Sequence, residues 1–302
     1  MSNSMGEKTT TVRKAVVLAG GLGTRFLPLS KAVPKELWPV VDKPVIHYVL
    51  EEIRAIGLDQ VILVLPSKES LAISYFKRDI KLEKILEKRK KEQTLAVLKN
   101  FQDLYKGISF SFIFQEKPLG DGDAILKAKT KIGREPFALL FCDVIVESKI
   151  PSMFQLLKVF KTSQRPVVAL SKVSKDEVSA FGIAAVEKIA KRFFKIKKIV
   201  EKPKAEEAPS DLALVGKYIL TPEVFDYLEA QKKAMPSKEI ILANALEALL
   251  IDGKTVYGYE LEGKWLGCGN KINWLKTHLY LSLKSPEYGE QLRKYLKNSS
   301  LL

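Results

Sequence analysis

The sequence predicts an α/β protein on a doubly wound, mixed but mainly parallel sheet, and three observations carry that prediction. Short runs of consecutive apolar residues, at Val16 to Leu18, Gln60 to Leu65 and Phe137 to Phe141, read as strands buried on both faces. Between them lie segments whose apolar residues recur at helical spacing. The chain has 302 residues and is 46% hydrophobic, enough to bury one large core.

Val45 to Gly57 reads as a helix, with Ile46, Val49, Leu50, Ile53 and Ile56 on one face and Gly57 as its stop. Gln60 to Leu65 follows as a strand closed by Pro66, which completes a βαβ opening. The alternation continues with a helix near Ser70 to Arg78, a basic helix across Lys81 to Lys99 and a strand at Ser109 to Phe114. A helix from about Asp123 to Ile132 then leads into the strand Phe137 to Phe141. In the second half, strand candidates at Val167 to Ser171, Gly182 to Glu187, Phe194 to Val200 and Leu212 to Leu220 stand close together with turn-like or charged separators. That spacing predicts a small antiparallel or mixed addition to the sheet. Helices return at Glu239 to Leu250, Asn273 to Leu283 and Pro286 to Lys297, with a short strand at Val256 to Leu261. The expected organisation is a loose tail over residues 1–12, one domain over 13–285 with halves 13–145 and 146–285, and a C-terminal helix in 286–302.

The formal charge of +15 raises a polyanion partner, but its distribution argues against one. Lys84, Lys88, Arg89, Lys90 and Lys91 alternate with Glu83, Glu87 and Glu92, while Leu82, Ile85, Leu86 and Leu95 form an apolar stripe; Glu87 and Lys91 are spaced to pair. A second cluster, Lys191 to Lys198, alternates like a strand with one wet face. The expectation is therefore no nucleic-acid partner. No apolar run is long enough to span a bilayer and MSNSMGEKTT lacks a signal-peptide core, so no membrane association is expected. Two cysteines, Cys142 and Cys268, and two histidines, His47 and His278, make neither a disulfide framework nor a Cys/His zinc site, which fits a reduced cytoplasmic setting.

The chemistry concentrates between Val16 and Pro44. The first apolar run ends at Ala19 and passes into Gly20, Gly21, Gly23 and Thr24, where backbone amides converge without a Cβ in the way. Arg25 adds a permanently charged planar fork. A P-loop would close with Gly-Lys-Ser/Thr and a dinucleotide turn would need a small residue at Phe26, so this is neither. Asp143 stands at the carboxyl end of the Phe137 to Phe141 strand, where open α/β sheets place ligands; a strand-terminal cap is its alternative role.

From Leu18 the sequence reads L-A-G-G-L-G-T-R-F-x-P, then P-K-E at Pro34 to Glu36 and V-D-K-P at Val41 to Pro44. With Q-x-x-x-x-G at Gln115 to Gly120, F-x-D-V-I at Phe141 to Ile145, V-E-K-P-K at Val200 to Lys204, V-G-K-Y at Val215 to Tyr218 and C-G-N-K at Cys268 to Lys271, it resembles the sugar-nucleotide pyrophosphorylases from about Lys14 to Leu283. The resemblance implies a Rossmann-like nucleotidyltransferase fold, with residues 13–145 as the nucleotide half and 146–285 as the sugar half. It implies that UTP and glucose 1-phosphate become UDP-glucose and pyrophosphate, with Mg2+ on Asp143, in a homo-oligomer of two or four chains. It sets Arg25 on the triphosphate, Lys35 near the α-phosphate and Lys202 near the sugar phosphate. Ala19, Gly20, Gly21, Gly23 and Thr24 would meet the nucleotide, Gln115 would read the pyrimidine, and Gly120 would let the base lie flat. Glu201, Asp143, Gly182 and Gly216 fall on the sugar side.

Three departures from the family pattern cluster at the metal and sugar side. Gly267 stands where relatives carry a second acidic metal ligand. Gly120-Asp121-Gly122-Asp123-Ala124 replaces Gly-Leu-Gly-His-Ala, and Glu239 to Asn244 replaces E-I-Q-L-T-D. Two expectations follow: an active uridylyltransferase, or a nucleotide-binding homologue that acts as a regulatory partner.

Overall fold

A computed structural model describes residues 11–299, so the first ten residues of the expected loose tail lie outside it. The chain opens with β1 (Lys14–Leu18), the two-residue strands β2 (Pro39–Val40) and β3 (Lys43–Pro44), α1 (Val45–Ala55) and β4 (Gln60–Leu65). It continues through α2 (Leu71–Phe76), α3 (Ile80–Lys88), α4 (Glu92–Leu104), β5 (Ser109–Phe114), α5 (Asp121–Ile132), β6 (Phe137–Phe141), β7 (Val144–Glu147) and α6 (Ser152–Ser163). The second half comprises β8 (Val167–Lys172), β9 (Gly182–Ala190), β10 (Phe193–Glu201), β11 (Leu212–Leu220), α7 (Val224–Ala234), α8 (Leu242–Ile251), β12 (Tyr257–Glu260), β13 (Lys264–Gly267), α9 (Lys271–Lys284) and α10 (Gly289–Asn298).

Nine strands form one sheet in the order β5-β4-β1-β6-β11-β8-β12-β10-β9. Side chains alternate across it, as a strand's period of two requires. Ala15, Val17, Leu63, Ala138 and Leu140 point toward α1 and α6, where Ile46, Leu50, Ile53, Met153, Leu156 and Phe160 close one core. Val16, Ile62, Val64 and Leu139 point the other way, into a second core with Ile125 and Ile132 of α5, Phe225 and Leu228 of α7, and Leu246 and Leu249 of α8. Helices on both faces make the sheet doubly wound.

The expectation of a mainly parallel sheet is corrected. Among the described residues the sheet has four parallel pairings and five antiparallel ones. The cause is β11, which inserts antiparallel between β6 and β8. Among the described residues no α-helix separates β8, β9, β10 and β11, only a three-residue 3-10 turn at Val178–Ala180, and antiparallel neighbours need no crossover.

Other differences are local. The basic helix is two helices, broken where Lys90 adopts a left-handed φ of 52°. Lys91 sits at the start of α4, and Glu87 pairs at 4.0 Å with Lys99 rather than with Lys91. Helices α6 and α7 and the ribbon β7–β13 were not expected; the ribbon sets Gly267 opposite Val144, beside Asp143. Among the described residues no helix is long and apolar enough to cross a membrane.

Candidate active site

The glycine loop leaves β1 with the Ala19 amide still bonded to the Val64 carbonyl at 2.9 Å, so Gly20 to Gly23 start from the sheet's carboxyl edge. Gly23 has φ 62° and ends at a tight turn over Thr24–Phe26. Phe26 is buried against the edge of Trp38, at 4.3 Å between ring centroids, and Trp38 in turn meets Trp274 of α9 at 5.1 Å. The residue that excluded a dinucleotide turn is thus the loop's apolar anchor. A Cβ on Gly21 would lie 3.3 Å from Cε and 3.4 Å from Nζ of Lys35, so the bare glycine lets that lysine cross the loop.

Lys35 Nζ donates to Asp143 Oδ2 at 2.7 Å. Burial lowers the lysine's proton affinity, but the Asp143 charge and hydrogen bond together with the neighbouring Cys142 and Glu36 outweigh it and raise the pKa above its ordinary value. Burial likewise raises Asp143, and the Lys35 charge and hydrogen bond reverse it, holding the carboxyl below the usual range. The pair is therefore fully ionised at neutral pH. Arg25 Nη1 reaches the Gly269 carbonyl at 3.4 Å, and the Cys268 amide donates to the Asp143 carbonyl at 2.8 Å, which draws the turn after β13 against the loop. Beside Lys35, Glu36 is 1% exposed. Neither of its carboxyl oxygens has a hydrogen-bond partner outside its own backbone among the described residues. Burial pushes its carboxyl up to about 7.

Gln115 continues β5, its amide bonded to the Leu65 carbonyl at 2.8 Å. Its Nε2 donates to the Gly120 carbonyl at 2.9 Å and to Asp123 Oδ2 at 3.0 Å. Gly120 has φ 92°, and a Cβ there would fall 2.3 Å from the Ile240 carbonyl oxygen, so only glycine fits where the extended segment before α8 clasps the turn.

A cleft of about 940 Å³ lies over β11 and the ribbon, lined by Arg25, Asp121, Asp143, Glu201, Lys202 and Tyr218, with Gly182, Gly216 and Gly267 also on its wall. Gly182 stands opposite Glu201 in register. Lys202, at φ 46°, has its ammonium 3.4 Å from Glu201 Oε1. Gly216 sits where β11 bulges, its register against β8 jumping between Leu214 and Tyr218. Asp121 accepts from the Leu242 amide at 3.0 Å, and burial pushes its carboxyl up to about 6. A Cβ on Gly267 would meet only Trp265 Nε1 at 3.8 Å and Asn273 Nδ2 at 4.0 Å, so the wall there has room for a side chain.

The structure thus brings Lys35 onto Asp143 and gathers Arg25, Asp143, Gly182, Glu201, Lys202 and Gly216 about one cleft. Ala19, Gly20, Gly21, Gly23, Thr24, Gln115 and Gly120 are not on its lining; they form a shoulder joined to it through Lys35–Asp143 and through Asp121. Sequence reasoning missed the support under the cleft. Lys217, fully buried in β11, is ion-paired to Glu52 of α1, which also accepts from the Ser152 hydroxyl and from the Met153 amide at 2.8 Å. The signal was present: a lysine inside the apolar run LALVGKYIL, and a glutamate three residues after Val49 on the apolar face of a helix. Among the described residues no group of three or more His, Cys, Asp or Glu is placed to hold a metal.

A family model described as Nucleotidyl transferase matches residues 14–282. UTP–glucose-1-phosphate uridylyltransferases of Staphylococcus haemolyticus and Staphylococcus epidermidis are 38% and 36% identical to this chain, each match covering 95% of it and 98% of the relative. Among solved structures, UDP-glucose pyrophosphorylase from Acinetobacter baumannii superposes with a TM-score of 0.86 at 34% identity, over 95% of this chain and 99% of that one. A UTP-bound form from the same organism gives 0.85.

Proposed function

The chain belongs to the nucleotidyl transferase family, and from that premise we propose that it joins UTP to glucose 1-phosphate, giving UDP-glucose and pyrophosphate. The observation that carries this reading is the ionised Lys35–Asp143 pair, set between an anion-accepting glycine loop and a cleft lined with both cations and hydroxyl acceptors. A phosphate oxygen of the sugar attacks the α-phosphorus in line as the bond to the bridging β-phosphate oxygen breaks, and pyrophosphate departs. Two anions must meet, so the protein's work is positioning and charge neutralisation.

In this reading the amides of Gly20 to Gly23 and the Arg25 guanidinium hold the triphosphate, with Ala19 and Thr24 framing the loop. Lys35 neutralises charge at the α-phosphate and Lys202 at the sugar phosphate. Gln115 reads the pyrimidine, over which Gly120 leaves room. Glu201 accepts sugar hydroxyls, while Gly182 and Gly216 expose backbone beneath the ring. Magnesium suits the donor chemistry of this site: Asp143 is a part-buried, ionised carboxylate on the cleft wall with one oxygen turned to Lys35. Mg2+ commonly takes one or two carboxylates and completes its shell from substrate phosphates and water. Bound on Asp143 and those phosphates, the ion would offset charge that the protein's cations leave. We propose further that the chain assembles as a dimer or tetramer through α9, whose Ile272, Leu275 and Leu279 are each about half exposed.

The test is the forward reaction with UTP, glucose 1-phosphate and magnesium. Equal amounts of UDP-glucose and pyrophosphate are expected. UTP binding with no product would replace this reading with that of a nucleotide-binding partner.

A further inference from the structure

We propose that Asp123 is a specificity-determining positioning residue: it locks the Gln115 side-chain amide so that only an acceptor faces the base, which admits UTP and turns away CTP. The proposal rests on the uridylyl-transfer reading and deepens it.

Gln115 is 7% exposed and Asp123 fully buried. Both hydrogens of the Gln115 amide nitrogen are committed, one to the Gly120 carbonyl at 2.9 Å and one to Asp123 Oδ2 at 3.0 Å. A backbone carbonyl and a carboxylate are acceptors with no hydrogen to give. Turning the amide over would set its oxygen against two oxygens, so one orientation survives. The other carboxylate oxygen of Asp123 accepts from Lys232 Nζ of α7 at 2.8 Å, which pairs the buried charge. The Gln115 oxygen is left turned toward the glycine loop: a Cβ on Gly20 would lie 3.6 Å from Oε1.

That oxygen distinguishes bases by one hydrogen. Uracil carries N–H at N3 and donates to it, whereas cytosine presents a lone pair at the same place. A buried acceptor facing another acceptor is penalised more than a missing contact. Thymine shares the N3–H, so dTTP passes this filter.

The competing account is that Asp123 only ties α5 to α7. Initial rates over a range of UTP and CTP, at saturating glucose 1-phosphate, separate the two for wild type, Asp123→Asn and Lys232→Met. Wild type should prefer UTP in kcat/KM by about 100-fold or more. Asp123→Asn, whose amide can offer Gln115 either an oxygen or a nitrogen, should narrow that preference by about 10-fold, through KM for UTP more than through kcat. Lys232→Met should move it the same way by less. If Asp123→Asn does not fold, Lys232→Met, at a half-exposed position, decides alone. A folded variant that keeps the wild-type UTP to CTP ratio overturns the lock. Wild-type turnover of both nucleotides with equal efficiency also overturns it while leaving uridylyl transfer standing. Turnover of neither removes the parent reading and the lock with it.

Discussion

The nucleotide shoulder and the sugar-side cleft are held together by different means. The shoulder rests on parallel strands β1, β4 and β6 and is fixed by backbone turns and an apolar anchor, Phe26 on Trp38. The cleft rests on the antiparallel strand β11 and is fixed by charge inside the core, Lys217 on Glu52, residues 165 apart in the chain. The shoulder also carries a charged pair, Lys35–Asp143, but that pair opens onto the cleft, whereas Lys217–Glu52 is sealed beneath it. The difference teaches that similar ionic groups serve separate ends here, one for substrate charge and one for holding a bulged strand in register.

The largest expected effect sharpens this contrast. Lys217→Met should destabilise the fold by about 3–5 kcal/mol, because it strands the buried Glu52 carboxylate, and urea midpoints would show it. A midpoint like that of wild type would erase the distinction between the two regions. Lys35→Ala should do the reverse, leaving the midpoint close to wild type while turnover falls about 100-fold or more, equivalent to about 3 kcal/mol of transition-state stabilisation. Near-normal turnover would remove Lys35 from the chemistry.

Glu36 tests the shoulder's cost in stability. Its folded pKa of about 7 lies above its unfolded value of 4.5, so charging it opposes folding. The penalty is absent below pH 4.5, grows as pH rises toward 7 and is constant above. Glu36→Gln should therefore match wild type in stability near pH 4 and exceed it near pH 8 by up to about 3 kcal/mol. Parallel stability curves for the two proteins would show that Glu36 is not strained. The smallest effect belongs to the cleft wall. Gly267→Asp, placed where the wall has room, should lower the magnesium requirement and raise turnover by about 10-fold, as a second carboxylate would help hold the ion. An unchanged magnesium titration would show that position 267 does not reach the metal.

The shoulder was the more legible region. Strands β4, β6 and β11 begin and end where expected, since burial on both faces leaves little choice of residue, and the edge strand β5 does so through its alternating phenylalanines. The same completeness hid direction: LALVGKYIL reports that β11 is buried, not that it runs against β6. The break at Lys90 was invisible because every residue from Glu87 to Gln93 is a good helix former. At the site, Gly20 to Arg25 announced itself by local composition. Lys35–Asp143 and Gln115–Asp123 are side-chain pairings that no spacing encodes, and neither was expected: the family resemblance marked Lys35 and Asp143 only for separate roles. Asp123 stood out as a departure from the family pattern, yet its partner could be named only once α5 lay against β5.

Reversal of the reaction probes the central claim most directly. With UDP-glucose, pyrophosphate and magnesium supplied, in-line exchange at one phosphorus predicts UTP and glucose 1-phosphate in equal amounts, with formation of both lost together in Lys35→Ala. Release of UMP and glucose 1-phosphate by water, or bound UDP-glucose that never turns over, would contradict it.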